Sequence, residues 1–114
     1  MVGIDLVPCA RFDFEASGHA EHGKAFSKME WDYAFVAANS AERLAGTFAA
    51  KEAVMKALGG ASVGRFDRIE IVREKSGKPT VLLDGNQVPG LHVSISHAGG
   101  FAVAIALYYE IPDE

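Results

Sequence analysis

One stretch near the middle of the chain constrains the fold more than any other. From Ala41 to Leu58, apolar residues recur at intervals of three and four positions, the spacing of one helical face. These residues are Leu44, Phe48, Met55 and Leu58. Gly59 and Gly60 follow directly and supply a C-terminal stop. The pattern predicts a helix over 41–58, about 27 Å long at 1.5 Å per residue, which is enough to cross a small domain.

Within this helix Glu52 and Lys56 stand four positions apart, so a carboxylate and an ammonium group lie on one face, one turn from each other. Such a pair could serve a metal ion and a phosphate group. The simpler interpretation is a solvent-exposed pair that stabilises the helix by about 0.2–0.5 kcal/mol. Taken alone, the spacing favours the simpler interpretation.

The first residues predict a short apolar strand that carries one charge. The run Val2 to Val7 is apolar or glycine except for Asp5. A carboxylate is rarely placed inside such a run without a partner. Asp5 therefore requires an explanation beyond the strand itself.

The second half of the chain is predicted to be largely antiparallel sheet. Arg68–Arg73 and Thr80–Leu83 flank turn residues and predict one hairpin, and His92–Ser96 pairs with Phe101–Leu107 in another. Both faces of the last strand are apolar, because valine, isoleucine and leucine alternate there with alanine. We expect that strand to be central in a sheet or to lie at an interface.

Two further helices complete the predicted α+β fold of three helices packed on an antiparallel sheet. A short helix is expected around Cys9–Glu15. Ser27 and Glu30 form a capping-box pattern that starts a helix running to about Ala38. With 114 residues, the chain is predicted to form a single domain over 1–114.

Composition limits the classes of function. The formal net charge of −4 argues against a general nucleic-acid binder, because affinity for the phosphate backbone needs a surplus of Lys and Arg. No apolar run approaches the ~20 residues of a membrane span, and the N-terminus lacks the pattern of a secretory signal. The single cysteine, Cys9, has no partner for a disulfide and no zinc-site spacing. We therefore expect a soluble, cytoplasmic protein without a membrane or nucleic-acid partner.

Three motifs in order, covering nearly the whole chain, resemble one enzyme family. They are Gly3-Ile-Asp5 with Arg11, then Phe48-Ala-Ala-Lys-Glu52 with Lys56-Ala-Leu-Gly59, then Ser94-Ile-Ser-His97. The set resembles the holo-acyl-carrier-protein synthase family of 4′-phosphopantetheinyl transferases. The resemblance implies Mg²⁺-dependent transfer of phosphopantetheine from coenzyme A to a serine of an apo acyl carrier protein, with release of 3′,5′-ADP. The alternative is a non-catalytic module of this fold that binds a carrier protein or a nucleotide.

The resemblance also implies roles for individual residues. Asp5 and Glu52 would hold the metal and act in catalysis, with Lys56 reaching the phosphates. The proton of the attacking serine would go to Glu52 or to a metal-polarised water, and the sequence leaves both open. Coenzyme A would further contact a second set of residues, namely Gly59, Gly60, Pro79, Ser96 and His97. For His97 and Pro79, ordinary turn residues are the alternative interpretation.

The resemblance further implies how the protein assembles and meets its partner. Members of the family form homotrimers in which each active site lies between two subunits. Carrier proteins are acidic, and the family usually meets them with a basic first helix. Here only Arg11 and Lys24 supply fixed positive charge for docking in the segment after the first strand. Docking is therefore expected to differ from the family norm.

This chain departs from the family pattern at three places. Thr47 stands where the family commonly has an arginine that helps to hold coenzyme A, and Arg43, one turn earlier, is a possible substitute. Gly60-Ala61 replaces Thr-Gly after the helix, and Ala98 follows His97 where a hydroxyl or carboxylate is common. These departures affect the expected affinity for coenzyme A.

Overall fold

The structure is a computed structural model that describes residues 1–13, 23–60 and 64–112. Within these ranges the chain forms two α-helices and six β-strands. The helices are α1 (Lys28–Phe35) and α2 (Ser40–Ala57). The strands are β1 (Val2–Pro8), β2 (Ile69–Arg73), β3 (Pro79–Leu83), β4 (Asn86–Gln87), β5 (Leu91–Ala98) and β6 (Phe101–Tyr108). Short 3₁₀ helices cover Cys9–Phe12, Gly23–Ala25 and Phe66–Arg68.

The strands form two antiparallel sheets of three strands each. The first has the order β1-β6-β5, and the second has the order β2-β3-β4. In the first sheet Ala104 of β6 pairs with Asp5 of β1 on one side and with Ile95 of β5 on the other. The last strand is therefore central, as predicted. The two predicted hairpins are also confirmed, and β5 turns into β6 at Gly99 and Gly100, which adopt positive φ values of 59° and 82°.

Helix α2 lies at the centre of the molecule and confirms the predicted helix to within one residue at each end. Its residues from Leu44 to Lys51 are all buried, because it packs on the first sheet and also contacts α1 and β2. Gly60 N donates to Met55 O at 2.9 Å and Gly59 N to Lys56 O at 3.2 Å. These two bonds form a Schellman cap, which ends the helix at the glycines.

Small residues let the first sheet approach α2 closely. Ala102, Ala104 and Ala106 of the central strand are at most 1% exposed beneath the helix. On β1, a Cβ at Gly3 would overlap the carbonyl oxygen of Ala53 and lie 2.8 Å from Ala57 N. The backbone of β1 therefore rests directly on the second half of α2.

Helix α1 begins as predicted but ends three residues early. The Ser27–Glu30 capping box is present, with Ser27 N donating to Glu30 Oε1 at 2.8 Å and Glu30 N to Ser27 Oγ at 3.3 Å. The helix ends at Phe35 rather than Ala38. The carbonyl of Tyr33, which a continuing helix would use, instead accepts a hydrogen bond from Arg43 Nη1 at 2.7 Å. A tertiary contact therefore replaces the last helical turn.

The prediction of three helices is met only in part. The segment expected to be helical over Cys9–Glu15 is a 3₁₀ helix at Cys9–Phe12, and residues 14 and 15 lie outside the described residues. Cys9 N donates to Gly100 O at 2.8 Å, so the chain stays attached to the end of the sheet as the turn begins. Neither described α-helix is long and apolar enough to cross a membrane.

Candidate active site

The charged residue of the first strand points at the helix. Along β1, Gly3, Asp5 and Val7 face α2, because strand side chains alternate between the two faces of a sheet. Lys56 Nζ lies 2.9 Å from Ile4 O and 3.4 Å from Asp5 Oδ1. The Asp5 side chain is 17% exposed and that of Lys56 52% exposed. Asp5 thus has a partner in Lys56, which the sequence placed 51 positions away.

Glu52 lies one helical turn before Lys56 and joins the same cluster. Burial raises the pKa of Glu52, and the nearby charge of Asp5 raises it further, whereas Lys56 and Arg11 lower it. Two carboxylates that repel each other in this way favour a shared cation. The structure therefore brings Asp5, Glu52 and Lys56 together, as the sequence analysis predicted.

One oxygen of this cluster has no hydrogen-bond partner among the described residues. It is Asp5 Oδ2, which is buried. Among the described residues no three His, Cys, Asp or Glu side chains gather in a metal-binding group. Mg²⁺ does not need such a group, because it commonly takes one or two protein carboxylates and completes its octahedron with water and phosphate oxygens. Asp5 and Glu52 fit that sparse ligand set.

A cleft of about 490 Å³ opens beside Glu52. Its lining residues are Lys24, Ala25, Phe48, Glu52, Gly64, Phe66 and Asp67. Phe48 and Phe66 stack in it with ring centroids 5.1 Å apart. The guanidinium of Arg11 lies 5.4 Å from the Phe48 ring centroid. Of the predicted docking residues, Lys24 thus lines this cleft and Arg11 lies against one of its aromatic rings.

Gly59 and Gly60 follow Lys56 at the end of α2. Both adopt a φ of +79°, a conformation that disfavours other residues. Their N–H groups are already used in the helix cap. In this structure the two glycines act by ending the helix just beyond Lys56, and a contact with coenzyme A stays a prediction. Ala61 lies outside the described residues.

The predicted coenzyme A residues near the last hairpin lie elsewhere. His97 Nε2 is 2.8 Å from Glu42 O, and its ring packs against Gly46, where a Cβ would lie 2.8 Å from that nitrogen. Ser96 points to the opposite face of the sheet, because neighbouring strand residues alternate. Within one chain, Ser96 and His97 therefore do not share a site.

Pro79 lies at a second, separate place. It opens β3 opposite Arg73 and lines a cleft of about 240 Å³ between the two sheets, together with His92 and Val93. Glu42, which contacts His97, precedes Glu52 on α2 by ten positions, or about 15 Å along the helix axis. The site residues thus divide into a carboxylate cluster (Asp5, Glu52 and Lys56) and two separate places outside it, that of Pro79 and that of His97, which together we call the distal group.

Sequence reasoning missed a buried ion pair between α1 and α2. Lys51 Nζ lies 2.7 Å from Glu30 Oε1 and 2.7 Å from Ala25 O, and both side chains are at most 1% exposed. The Glu30 carboxylate also accepts from Ser27 N and Ile71 N. Burial lowers the pKa of Lys51, against the opposing effect of Glu30. The position of Lys51 inside the apolar stretch of the helix was the sequence feature that could have indicated a buried partner.

Comparison with known proteins places this arrangement in a family. The model of the 4′-phosphopantetheinyl transferase superfamily matches residues 1–106. The protein named holo-[acyl-carrier-protein] synthase from Clostridium kluyveri is 40% identical to this chain, over 93% of this chain and 87% of that protein. The protein of the same name from Chlorobaculum parvum is 38% identical, over 93% of this chain and 95% of that protein. A solved ACPS–CoA complex from Chronobacterium ammoniagenes superposes with a TM-score of 0.78 at 31% identity, covering 96% of this chain and 97% of that one. The chain therefore belongs to the 4′-phosphopantetheinyl transferase superfamily.

Proposed function

We propose that this protein transfers 4′-phosphopantetheine from coenzyme A to a serine hydroxyl of an apo acyl carrier protein and releases 3′,5′-ADP. The names of the relatives and the coenzyme A bound in a related structure support the substrates. The observation that carries the proposal is the cluster of Asp5, Glu52 and Lys56, in which Asp5 Oδ2 is buried and has no hydrogen-bond partner in residues 1–13, 23–60 and 64–112. The whole chain, 1–114, is proposed to act as one domain.

The reaction requires charge neutralisation and alignment rather than a covalent enzyme intermediate. The serine oxygen forms a bond to the β-phosphorus of coenzyme A, and the bond from that phosphorus to the bridging oxygen breaks. Bound to Asp5 and Glu52, Mg²⁺ would neutralise charge on the pyrophosphate. Lys56 would donate to a phosphate oxygen, and its half-exposed side chain at the edge of the cluster supports this role.

The serine proton needs an acceptor at the same place. The raised pKa of Glu52 makes its carboxylate a stronger base than an ordinary glutamate. Its position in the lining of the 490 Å³ cleft gives an incoming serine access to it. Glu52 is therefore the favoured acceptor, with a water relaying to the carboxylates as the second possibility.

We further propose that the active protein is a homotrimer with active sites between subunits. The face of the first sheet turned away from α2 is apolar and exposed, including Val2, Ile4, Leu6, Phe101, Ile105 and Leu107, each at least 46% exposed. Apolar patches of this kind on soluble proteins commonly mark interfaces. Since His97 contacts α2 at Glu42, about 15 Å along the helix axis from Glu52, contact between subunits offers a way to unite it with the carboxylates.

The trimer is tested by a charge placed in that face. Ile105→Lys is expected to give a folded monomer without transfer activity, because a buried lysine in the interface lacks a partner. Light scattering after size-exclusion chromatography gives the mass, and circular dichroism checks the fold. A fully active monomeric wild type would refute shared active sites.

The reaction itself is tested by intact mass. Apo acyl carrier protein, coenzyme A and Mg²⁺ are incubated with the enzyme, and the gain of one phosphopantetheine is followed with and without a chelator. Asp5→Asn and Glu52→Gln are expected to lower the rate at least a hundredfold. Asp32→Asn is the matched control, because Asp32 also pairs with a lysine, at 2.8 Å, but lies on the exposed face of α1.

The outcomes distinguish phosphopantetheinyl transfer from the non-catalytic binding module. Mass gain that disappears with chelator and in both cluster variants supports metal-dependent transfer. Normal rates in Asp5→Asn would contradict the metal assignment. Coenzyme A binding without transfer to any carrier protein would favour the non-catalytic binding module.

A further inference from the structure

The cleft beside Glu52 adjoins a second one. That second cleft, of about 290 Å³, shares four lining residues with the first, namely Lys24, Ala25, Phe66 and Asp67. Most of the lining of both clefts comes from two segments, which we call the first wall (residues 24–27) and the second wall (residues 64–70). A serine that reaches Glu52 through the cleft would have to pass between these walls.

The first wall is tied to α2 by Lys51. Lys51 Nζ donates to Ala25 O and to Glu30 Oε1, both at 2.7 Å. Ser27 N donates to the same Glu30 oxygen at 2.8 Å. Because Lys51 directly precedes Glu52 on α2, the first wall is attached to the helix beside that carboxylate.

The second wall is tied to the same ion pair through β2. Ile71, the residue that follows the second wall, donates from its backbone N to Glu30 Oε2 at 2.8 Å. The Lys51 and Glu30 side chains are 1% and 0% exposed, so water does not compete for these bonds. Hydrogen bonds to charged groups are also the stronger kind. One buried pair therefore holds both walls relative to α2.

Aromatic packing between the walls cannot take over this function. Phe26 of the first wall lies 6.4 Å from Phe48, and Phe48 stacks on Phe66 of the second wall at 5.1 Å, both measured between ring centroids. Such apolar contacts are favourable but non-directional, whereas the hydrogen bonds of Lys51 and Glu30 require a set distance and angle. The rings fill the space between the walls, and the ion pair fixes their spacing.

We propose that Lys51 is a positioning residue that, with Glu30, sets the spacing of the two walls for the carrier-protein segment that presents the serine. Lys51 is too deeply buried to touch either substrate, so it acts through Ala25 and its neighbour Lys24, which line the cleft. Walls that are ordered before docking lower the entropy cost of binding the carrier protein. This role rests on the function proposed above.

Steady-state transfer assays on the full chain, with carrier protein and coenzyme A varied in turn, test the proposal. Lys51→Met is expected to raise KM for the apo acyl carrier protein at least about fivefold, because docking must then order the walls. We expect kcat and KM for coenzyme A to stay within about twofold of wild type, because packing on the first sheet still holds α2 and Glu52. An unchanged KM for the carrier protein, or a fall in kcat alone, would overturn the proposal.

Leu44→Ala separates positioning from a general loss of stability. Leu44 is 0% exposed on α2, two turns before Lys51, and its truncation leaves a cavity but removes no donor or acceptor. This control should lower the melting temperature and leave KM for the carrier protein within about twofold of wild type. A rise in KM equal to that of Lys51→Met would overturn the proposal.

A second variant covers the case in which Lys51→Met does not fold. Glu30→Gln/Lys51→Met leaves no unpaired charge inside the protein. It still deprives Ala25 O of its donor, so the same rise in KM for the carrier protein is expected. A KM equal to wild type in this double variant would count against a positioning role.

Direct binding distinguishes a failure of this proposal from a failure of the proposed function. Calorimetric titration of apo acyl carrier protein into wild type and into Lys51→Met requires no turnover. Transfer by wild type with equal carrier affinity in both proteins would uphold the proposed function and refute the positioning role. Weaker binding by Lys51→Met, with no transfer by wild type, would do the reverse. A wild type that neither binds nor modifies any carrier protein would overturn both.

Discussion

The buried pair of Glu30 and Lys51 provides the sharpest test of how the fold is held together. The substitution Lys51→Met keeps the length and apolar stem of the side chain but removes its charge. It leaves the Glu30 carboxylate buried without its cation, and the Ala25 carbonyl without its donor at 2.7 Å. Breaking a buried pair from one side costs about 3–5 kcal/mol of unfolding free energy.

The remaining contacts place the expected loss at the low end of that range. Glu30 still accepts from Ser27 N and Ile71 N, each at 2.8 Å, so its charge keeps two donors. Methionine fills nearly the same volume, so little cavity cost is added. We expect Lys51→Met to lower the free energy of unfolding by about 3 kcal/mol, a large share of the 5–15 kcal/mol typical of a domain.

Urea denaturation at pH 7, at fixed protein concentration, measures this loss. Lys28→Met is the matched control, because Lys28 is also paired but its side chain is 87% exposed, and its loss should be within about 0.5 kcal/mol. The double variant Glu30→Gln/Lys51→Met should be more stable than Lys51→Met, since no unpaired charge is left inside. A loss below about 1 kcal/mol in Lys51→Met, or a double variant that equals the sum of the singles, would refute the reasoning.

Three further predictions follow from the site and its supports. The pKa of Glu52 is raised above its ordinary value of 4.5, so the folded state holds the Glu52 proton more tightly than the unfolded state, and the stability of the protein should fall as pH rises through the raised pKa. Glu52→Gln should flatten this dependence of the melting temperature on pH in metal-free thermal unfolding. An unchanged pH dependence would contradict the raised pKa. Gly3→Ala should destabilise the protein by about 1–3 kcal/mol, because the added Cβ meets the backbone of α2 and must push the strand away, and a melting temperature equal to wild type would show that β1 is not so close. Only Arg11 and Lys24 are fixed positive charges predicted for docking, so the transfer rate should depend weakly on salt. Transfer rates compared across carrier proteins at two salt concentrations test this, and a strong, salt-sensitive preference for the most acidic carrier would count against it.

Local sequence was sufficient wherever short-range physics decides the structure. The apolar spacing and the paired glycines predicted α2 to within a residue, because both the helical face and the Schellman cap are made by neighbours in the chain. The Ser27–Glu30 capping box and the Gly99–Gly100 turn were predictable for the same reason. The end of α1 was not, because Arg43 takes the Tyr33 carbonyl from another helix.

The candidate site shows the same division. Asp5, Glu52 and Lys56 were chosen from the sequence by residue type and family resemblance, whereas the contact of Asp5 with Lys56 and its electrostatic effect on Glu52 depend on β1 packing against α2. Sequence grouped Ser96 with His97, yet strand alternation turns them to opposite faces of the sheet.

The sequence by itself determined the helix, the hairpins, the family and the charged residues of the carboxylate cluster, because these depend on periodicity, turn chemistry and motif order. Only the tertiary structure decided that Glu30 pairs with Lys51, that the guanidinium groups of Arg43 and Arg73 lie against the Tyr33 ring, and that the distal group lies apart from the carboxylates. Each of those facts joins residues from different elements. The distances between these side chains are set by how helices and sheets pack, and that packing cannot be predicted from a local sequence pattern.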